Sequence, residues 1–259
     1  MGKQRGEKVW KILLKNVLWA FLSVAILLAV WIVFYLKIGN DHFLPSPWSA
    51  LAAGVKLFAD GAFWTAFFGT LGRAFSAFLI SFFFGVGLAV IAYLLPWFRK
   101  IMGGVTAVLR ALPTLAVTLI LFLLTSPTRA PVIVGVMALF PMLYHSALNA
   151  LSSVDGKLLE MCAAYRVPMK KRIVCLYLPT AAPYVLKESA AAIAFSLKLT
   201  VSAEILSLTY KSIGGMMQQA QTFEEMPTVF ALTIATVLAA CLLEGTLSVL
   251  AAFVERRVR

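Results

Sequence analysis

The sequence gathers its apolar residues into blocks of about 20, the length at which an α-helix rising 1.5 Å per residue crosses a bilayer core of roughly 30 Å. Nothing constrains the chain more. Backbone inside lipid must satisfy its own N–H and C=O groups, so blocks of this length fold as helices. Six are readable, at 17–36, 67–95, 103–124, 132–151, 181–206 and 228–253. They predict an all-α membrane protein with six transmembrane helices. Composition agrees: of 259 residues, 61% are hydrophobic and 13% charged, against roughly 45–50% and about 25% in a soluble domain. Mean hydropathy is +0.91.

A net charge of +12 would suggest nucleic acid in a soluble protein. Here the basic residues sit at the ends of the apolar blocks with few aromatics among them, which is the positive-inside pattern of a membrane protein. Fifteen Lys and Arg fall before residue 17, between 95 and 103, between 151 and 181, or after 253, and only Lys37, Lys56, Arg129 and Lys211 fall in the alternate connections. That asymmetry predicts both termini in the cytoplasm, with residues 1–16 a cytoplasmic segment and 17–259 a single transmembrane domain. The first block is long enough to span and lacks a small-residue cleavage site, so it reads as a retained helix. Cys162, Cys175 and Cys241 are odd in number and suit no disulfide framework. His42 and His145 stand alone, without the partners of a metal site. No G-x-x-x-x-G-K-[ST] occurs, so ATP is not bound through a P-loop of this chain, and no catalytic set is readable.

Two connections are too patterned to be plain loops. Ser46-Pro47 offers a helix cap and a first-turn proline; Trp48, Leu51, Val55 and Phe58 follow at helical spacing, with Gly61 as a stop. An amphipathic helix is expected there, either an anchor at the outer membrane surface or a docking element. The stretch 152–178 is the longest polar segment. Its first part, 155–165, is helix-compatible, and Pro168 drives Val167 out of the α region while being able to open a second helix itself. A helix, a break and a second helix would project as a knob.

Within that knob Glu160-Met161-Cys162-Ala163-Ala164-Tyr165-Arg166 leads to Leu178-Pro179, the proline nineteen residues after the glutamate. This resembles the loop shared by the permease subunits of ATP-binding-cassette (ABC) importers, which begins E-A-A, has Gly six residues after the Glu and closes in L-P. The likeness extends over about 43–255 and is closest to the nitrate, sulfonate and taurine branch. It includes Phe43-Leu44-Pro45-Ser46-Pro47, Thr70-Leu71-Gly72-Arg73, Arg110-Ala111-Leu112-Pro113, Phe140-Pro141, Ser153-Val154-Asp155, Leu158-Leu159-Glu160, the tract 198–204 and Ser212-Ile213-Gly214.

The resemblance implies a type I ABC importer permease fold in the bacterial inner membrane. It implies a homodimer bathed in lipid, served by an extracytoplasmic solute-binding protein and gripped by a cytoplasmic ATPase dimer that carries the ATP and Mg. The chain itself would bind no cofactor and no nucleic acid. The 152–178 loop would be the coupling element, with Glu160, Ala163, Ala164, Arg166, Pro168, Leu178 and Pro179 as its contact positions. The solute would be small: a sulfonate, taurine, nitrate or a vitamin precursor. Two departures stand out. Arg166 replaces the family Gly, so either the turn is rebuilt or Arg166 takes a left-handed conformation at a cost of about 1 kcal/mol. Thr118 stands where many relatives have proline, which predicts a straighter third span.

Charges at membrane depth need a reason. Glu188 and Glu204 lie toward opposite ends of the fifth span, where snorkelling or an end-of-helix partner would satisfy them, and Glu244 lies in the sixth. Lys198 is ~12 Å inside the outer end of its span at 1.5 Å per residue, with no acidic neighbour three or four residues away. Lys198, Ser202 and Glu204 are therefore candidates for a substrate path, the alternative for Lys198 being a structural pair with Glu244. An ion-gradient-driven secondary transporter would also explain intramembrane charge, but leaves the knob without a purpose. An intramembrane enzyme would need a nucleophile or metal set that the sequence does not show.

The charge asymmetry makes a direct prediction. With Cys162, Cys175 and Cys241 replaced by serine, an impermeant thiol reagent should label a cysteine placed at Ser126 in intact cells, and one at Ser152 only after permeabilisation. The reverse pattern would overturn the orientation.

Overall fold

The computed structural model describes residues 2–41 and 43–258, the side chains of 2–17, 20, 257 and 258 excepted. His42, Arg259 and the side chains of Lys3, Arg5, Lys8, Lys11, Lys15 and Arg257 lie outside the described residues. Those described are helical, with no strand: α1 (Gly2–Ile38), α2 (Pro47–Ala59), α3 (Gly61–Leu94), α4 (Pro96–Ala111), α5 (Thr114–Leu124), α6 (Ala130–Ser152), α7 (Gly156–Ala164), α8 (Met169–Arg172), a π-helical turn Ile173–Tyr177, α9 (Leu178–Leu206), α10 (Ile213–Thr222) and α11 (Met226–Val258). Five stretches are long and apolar enough to cross a membrane, and α4 with α5 makes a sixth if that bent pair is one span.

The elements differ from the sequence reading in four places. The third span is broken: α4 and α5 meet at 91°, because Pro113 has no N–H to give and holds Leu112 extended at φ −67°, ψ 126°. Thr118 instead sits buried in α5, its hydroxyl donating to the Thr114 carbonyl at 2.7 Å. Gly61 is no stop but the first residue of α3, whose cap is Asp60 accepting from the Ala62 N–H at 2.9 Å. The helix after Pro168 runs through the π turn into α9 without interruption. Finally α10, absent from the sequence reading, occupies the connection before α11.

The chain packs as two compact units, residues 1–59 with 220–232 and residues 60–219 with 233–259. In the first, the Trp31 indole N–H donates to the Pro45 carbonyl at 3.1 Å and its ring stacks on Phe230 at 5.4 Å. Ser46 caps α2 by accepting from the Ser49 N–H at 3.0 Å. Ala50 is buried and Gly54 faces Ala231, while Trp48, Leu51, Val55 and Phe58 are exposed on the other side. A bare apolar stripe of this kind suits a helix lying in the lipid interface.

In the second unit the core is built by α3, α6 and α9. Ala77, Phe78, Leu139, Leu143, Ala192 and Ile193 pack together where the three meet. Helices in lipid gain little from burying apolar area against each other, so close approach through small residues supplies the attraction. A Cβ on Gly85 would lie 3.2 Å from the Leu143 Cβ, and one on Gly135 would lie 2.8 Å from the Ala77 Cβ. The two contacts keep one register along α3 and α6, which therefore run parallel. Helix α9 runs antiparallel to α3: Ser196 donates to the Ala74 carbonyl at 2.7 Å, and Tyr93 and Tyr177 share a hydrogen bond of 3.3 Å. Further along, Ala239 and Ala240 of α11 pack with Ala74, Ala194 and Leu197.

Candidate functional site

The segment between α6 and α9 begins with Asp155, which caps α7 by accepting from the Lys157 N–H at 2.9 Å. The helix ends in a Schellman turn. The Arg166 N–H donates to the Ala163 carbonyl at 3.0 Å and the Val167 N–H to the Cys162 carbonyl at 2.9 Å. Arg166 holds the left-handed position at φ 50°, so it accepts the strain and the turn is not rebuilt. Arg172 reaches back to pin the turn: its Nε donates to the Val167 carbonyl at 2.8 Å and its Nη2 to the Cys162 carbonyl at 3.0 Å. Pro179 cannot donate within its helix, and the π turn just before it widens the backbone there, with the Leu178 N–H bonded to the Ile173 carbonyl. Glu160, Ala163, Ala164, Arg166 and Pro168 are brought together on this pinned loop, all exposed; Leu178 and Pro179 sit at its base, exposed and half-buried.

Helix α9 has two unlike faces. One carries Tyr184, Lys187, Ala191, Phe195, Lys198 and Ser202, exposed except for the half-buried Ala191. Lys198 has no ion-pair partner among the described residues. The Lys198–Glu244 pair is therefore not formed. Ser202 donates to the Lys198 carbonyl at 3.0 Å. The first half of this face lines an open cavity of about 800 Å³ in the second unit, shared with Arg110, His145 and Glu244.

Glu204 corrects the sequence reading that grouped it with Lys198 and Ser202. Six residues beyond Lys198 it points about 240° round the helix at 3.6 residues per turn, and it is fully buried. Its Oε1 accepts from Arg73 Nε at 2.7 Å, its Oε2 from Thr70 Oγ1 at 2.9 Å and from the Gly214 N–H at 3.2 Å. Thr70 Oγ1 accepts the Ile213 N–H at 2.9 Å. Two free N–H groups of the first turn of α10 are thus satisfied by side chains from α3 and α9. Gly214 approaches so closely that any Cβ there would strike Glu204 itself. The carboxylate is a structural clamp, and the sequence reading missed its partner. Arg73 was visible as a charge near the start of an apolar block, but a contact 131 residues away in sequence leaves no periodic signal. Arg110, a charge inside an apolar block, was passed over in the same way, and with it His145.

A profile of the family described as binding-protein-dependent transport system inner membrane component matches residues 81–259. Chains from solved structures also match. One of them, from a crystal structure described as an amino acid ABC transporter with histidines, superposes with a TM-score of 0.61 over 76% of this chain and 94% of its own at 16% identity, a likeness of fold. No curated protein matches the chain.

The clamp predicts an asymmetric mutational response. Arg73→Met leaves the buried Glu204 carboxylate uncompensated and should cost about 3–5 kcal/mol of stability. Adding Glu204→Gln removes that charge and should recover part of the loss in thermal unfolding of the purified chain. An Arg73→Met variant as stable as wild type would contradict the clamp.

Proposed function

The chain belongs to the family of binding-protein-dependent transport system inner membrane components, and from that membership we propose that it is the permease subunit of an ABC importer. Two copies enclose the solute path in the bacterial inner membrane, with both termini of each in the cytoplasm. A binding protein delivers solute from outside. A cytoplasmic ATPase dimer, carrying ATP and Mg, drives the cycle.

The observation that carries this reading is the pinned, exposed loop between two helices of membrane-spanning length. A short helix fixed to its neighbours by a Schellman turn and the Arg172 bonds moves with them as a body. Glu160 on it can make a charge-assisted bond to an Arg of the ATPase. Leu158, Met161 and Tyr165 of this loop are 40%, 51% and 80% exposed, apolar surface that a docked subunit would cover. An ion-gradient carrier has no use for such a loop.

The exposed face of α9 is the part of the solute path that this chain supplies, with Lys198 and Ser202 on it and Glu204 behind it. An unpaired ammonium at that depth is offset by water in a lumen or by a passing anion. The branch motifs support a small solute of the sulfonate, taurine, nitrate or vitamin-precursor kind.

Two variants test the reading. Glu160→Lys should leave chain and ATPase recovered together and ATP still hydrolysed, yet reduce uptake of the delivered solute by roughly tenfold or more, a bond to a charged group being worth about 1.5–3 kcal/mol. Normal uptake would sink the coupling role. Lys198→Met keeps length and apolar bulk, and should lower uptake of a solute that carries an anionic group without lowering the amount of assembled complex; unchanged uptake would make Lys198 structural.

A further inference from the structure

The cavity beside α9 holds charges that coupling and framework leave unused. Arg110 sits about 21 Å along α4 from Pro96 at 1.5 Å per residue, one turn before the 91° break. A guanidinium stays protonated at any working pH and offers five donors. Its one partner among the described residues is uncharged: Nη2 lies 2.6 Å from Nε2 of His145. Guanidinium nitrogens only donate, so Nε2 presents its lone pair and the imidazole is neutral. Thr106 Oγ1 packs 3.0 Å from the same nitrogen, its proton directed at the Met102 carbonyl at 2.8 Å. His145 therefore orients Arg110 without neutralising it, and the remaining donors are left for the cavity.

Another part of the lining has the opposite sign. It is contributed by α9 and α11 and carries Lys187, Glu188 and Glu244. Neither carboxylate has an ion-pair partner among the described residues. One part of the lining thus carries a net charge of +1 from Arg110, and the other a net −1 from one lysine and two glutamates. Its volume of about 800 Å³ falls within the range of roughly 300–1,000 Å³ of small-molecule sites.

We propose that this cavity binds a small organic zwitterion, its carboxylate or sulfonate seated on the Arg110 fork that His145 orients and its cationic group facing Glu188 and Glu244. The proposal rests on the reading of the chain as a permease and gives that path a solute class. A purely anionic solute would meet two unpaired carboxylates, and a purely cationic one would leave Arg110 without a counter-charge.

The test uses the chain purified with its ATPase in lipid nanodiscs and three probes built on the same four-carbon chain, 4-aminobutanoate, butanoate and butylamine, titrated calorimetrically. The zwitterion should bind at least tenfold more tightly than either singly charged probe. Arg110→Met should abolish its advantage over butylamine, and Arg110→Lys should restore part of it, which a merely structural role for Arg110 would not do. Glu188→Gln combined with Glu244→Gln should abolish its advantage over butanoate. Equal binding of all three probes, no binding of any, or a preference that survives Arg110→Met would overturn the proposal. Because the ATPase is present and hydrolysing ATP in the sample, those results would leave the permease reading standing, whereas failure to recover an ATPase at all would count against that reading instead.

Discussion

An ionised side chain in the hydrocarbon layer costs about 2.5–3.5 kcal/mol on insertion scales until a partner charge, water or a ligand answers it. Arg73 and Glu204 answer each other, and in doing so fix α3, α9 and the first turn of α10 in one network. Lys198, Arg110, Glu188 and Glu244 have no ion-pair partner among the described residues. The paired charges lie in the framework, whereas Arg110, Glu188 and Glu244 line the cavity and Lys198 stands on the exposed side of α9, which is the basis for proposing that a solute or water answers them.

Backbone groups obey the same rule. The chain departs from regular α-helix at the 91° break between α4 and α5, at the π turn before Pro179 and at the left-handed Arg166. A proline explains the first two. The third is satisfied by two backbone bonds and by the Arg172 guanidinium. That triple fixation lets a non-glycine residue hold φ 50°, and it makes the loop carrying Glu160 a rigid projection.

The helices were legible because their cause is local: apolar length, the Ser46 cap and the Asp155 helix could be read without knowing what lies beside them. The loop was legible through its spacing from Glu160 to Pro179, and the left-handed alternative for Arg166 followed from the glycine it replaces. What the sequence hid was non-local. Glu204 looked like a path residue until its helical phase was set against α3, and Gly61 looked like a stop until Asp60 was seen capping the helix it opens. Thr118 argued for a third span straighter than in relatives with a second proline, and the break stands at Pro113. Helix α10 is short and only weakly apolar, too short to stand out from the connection around it; its first N–H groups are received by Thr70 and Glu204.

Family membership and the rigid exposed loop support the proposal of a membrane subunit that is driven by another protein. Native mass spectrometry of the tagged chain extracted from its own membrane in mild conditions tests this most directly. The account predicts an assembly of two copies of the chain with two copies of a nucleotide-hydrolysing subunit. A chain that flies alone, or as a homo-oligomer free of any ATPase while remaining competent for uptake, would contradict it.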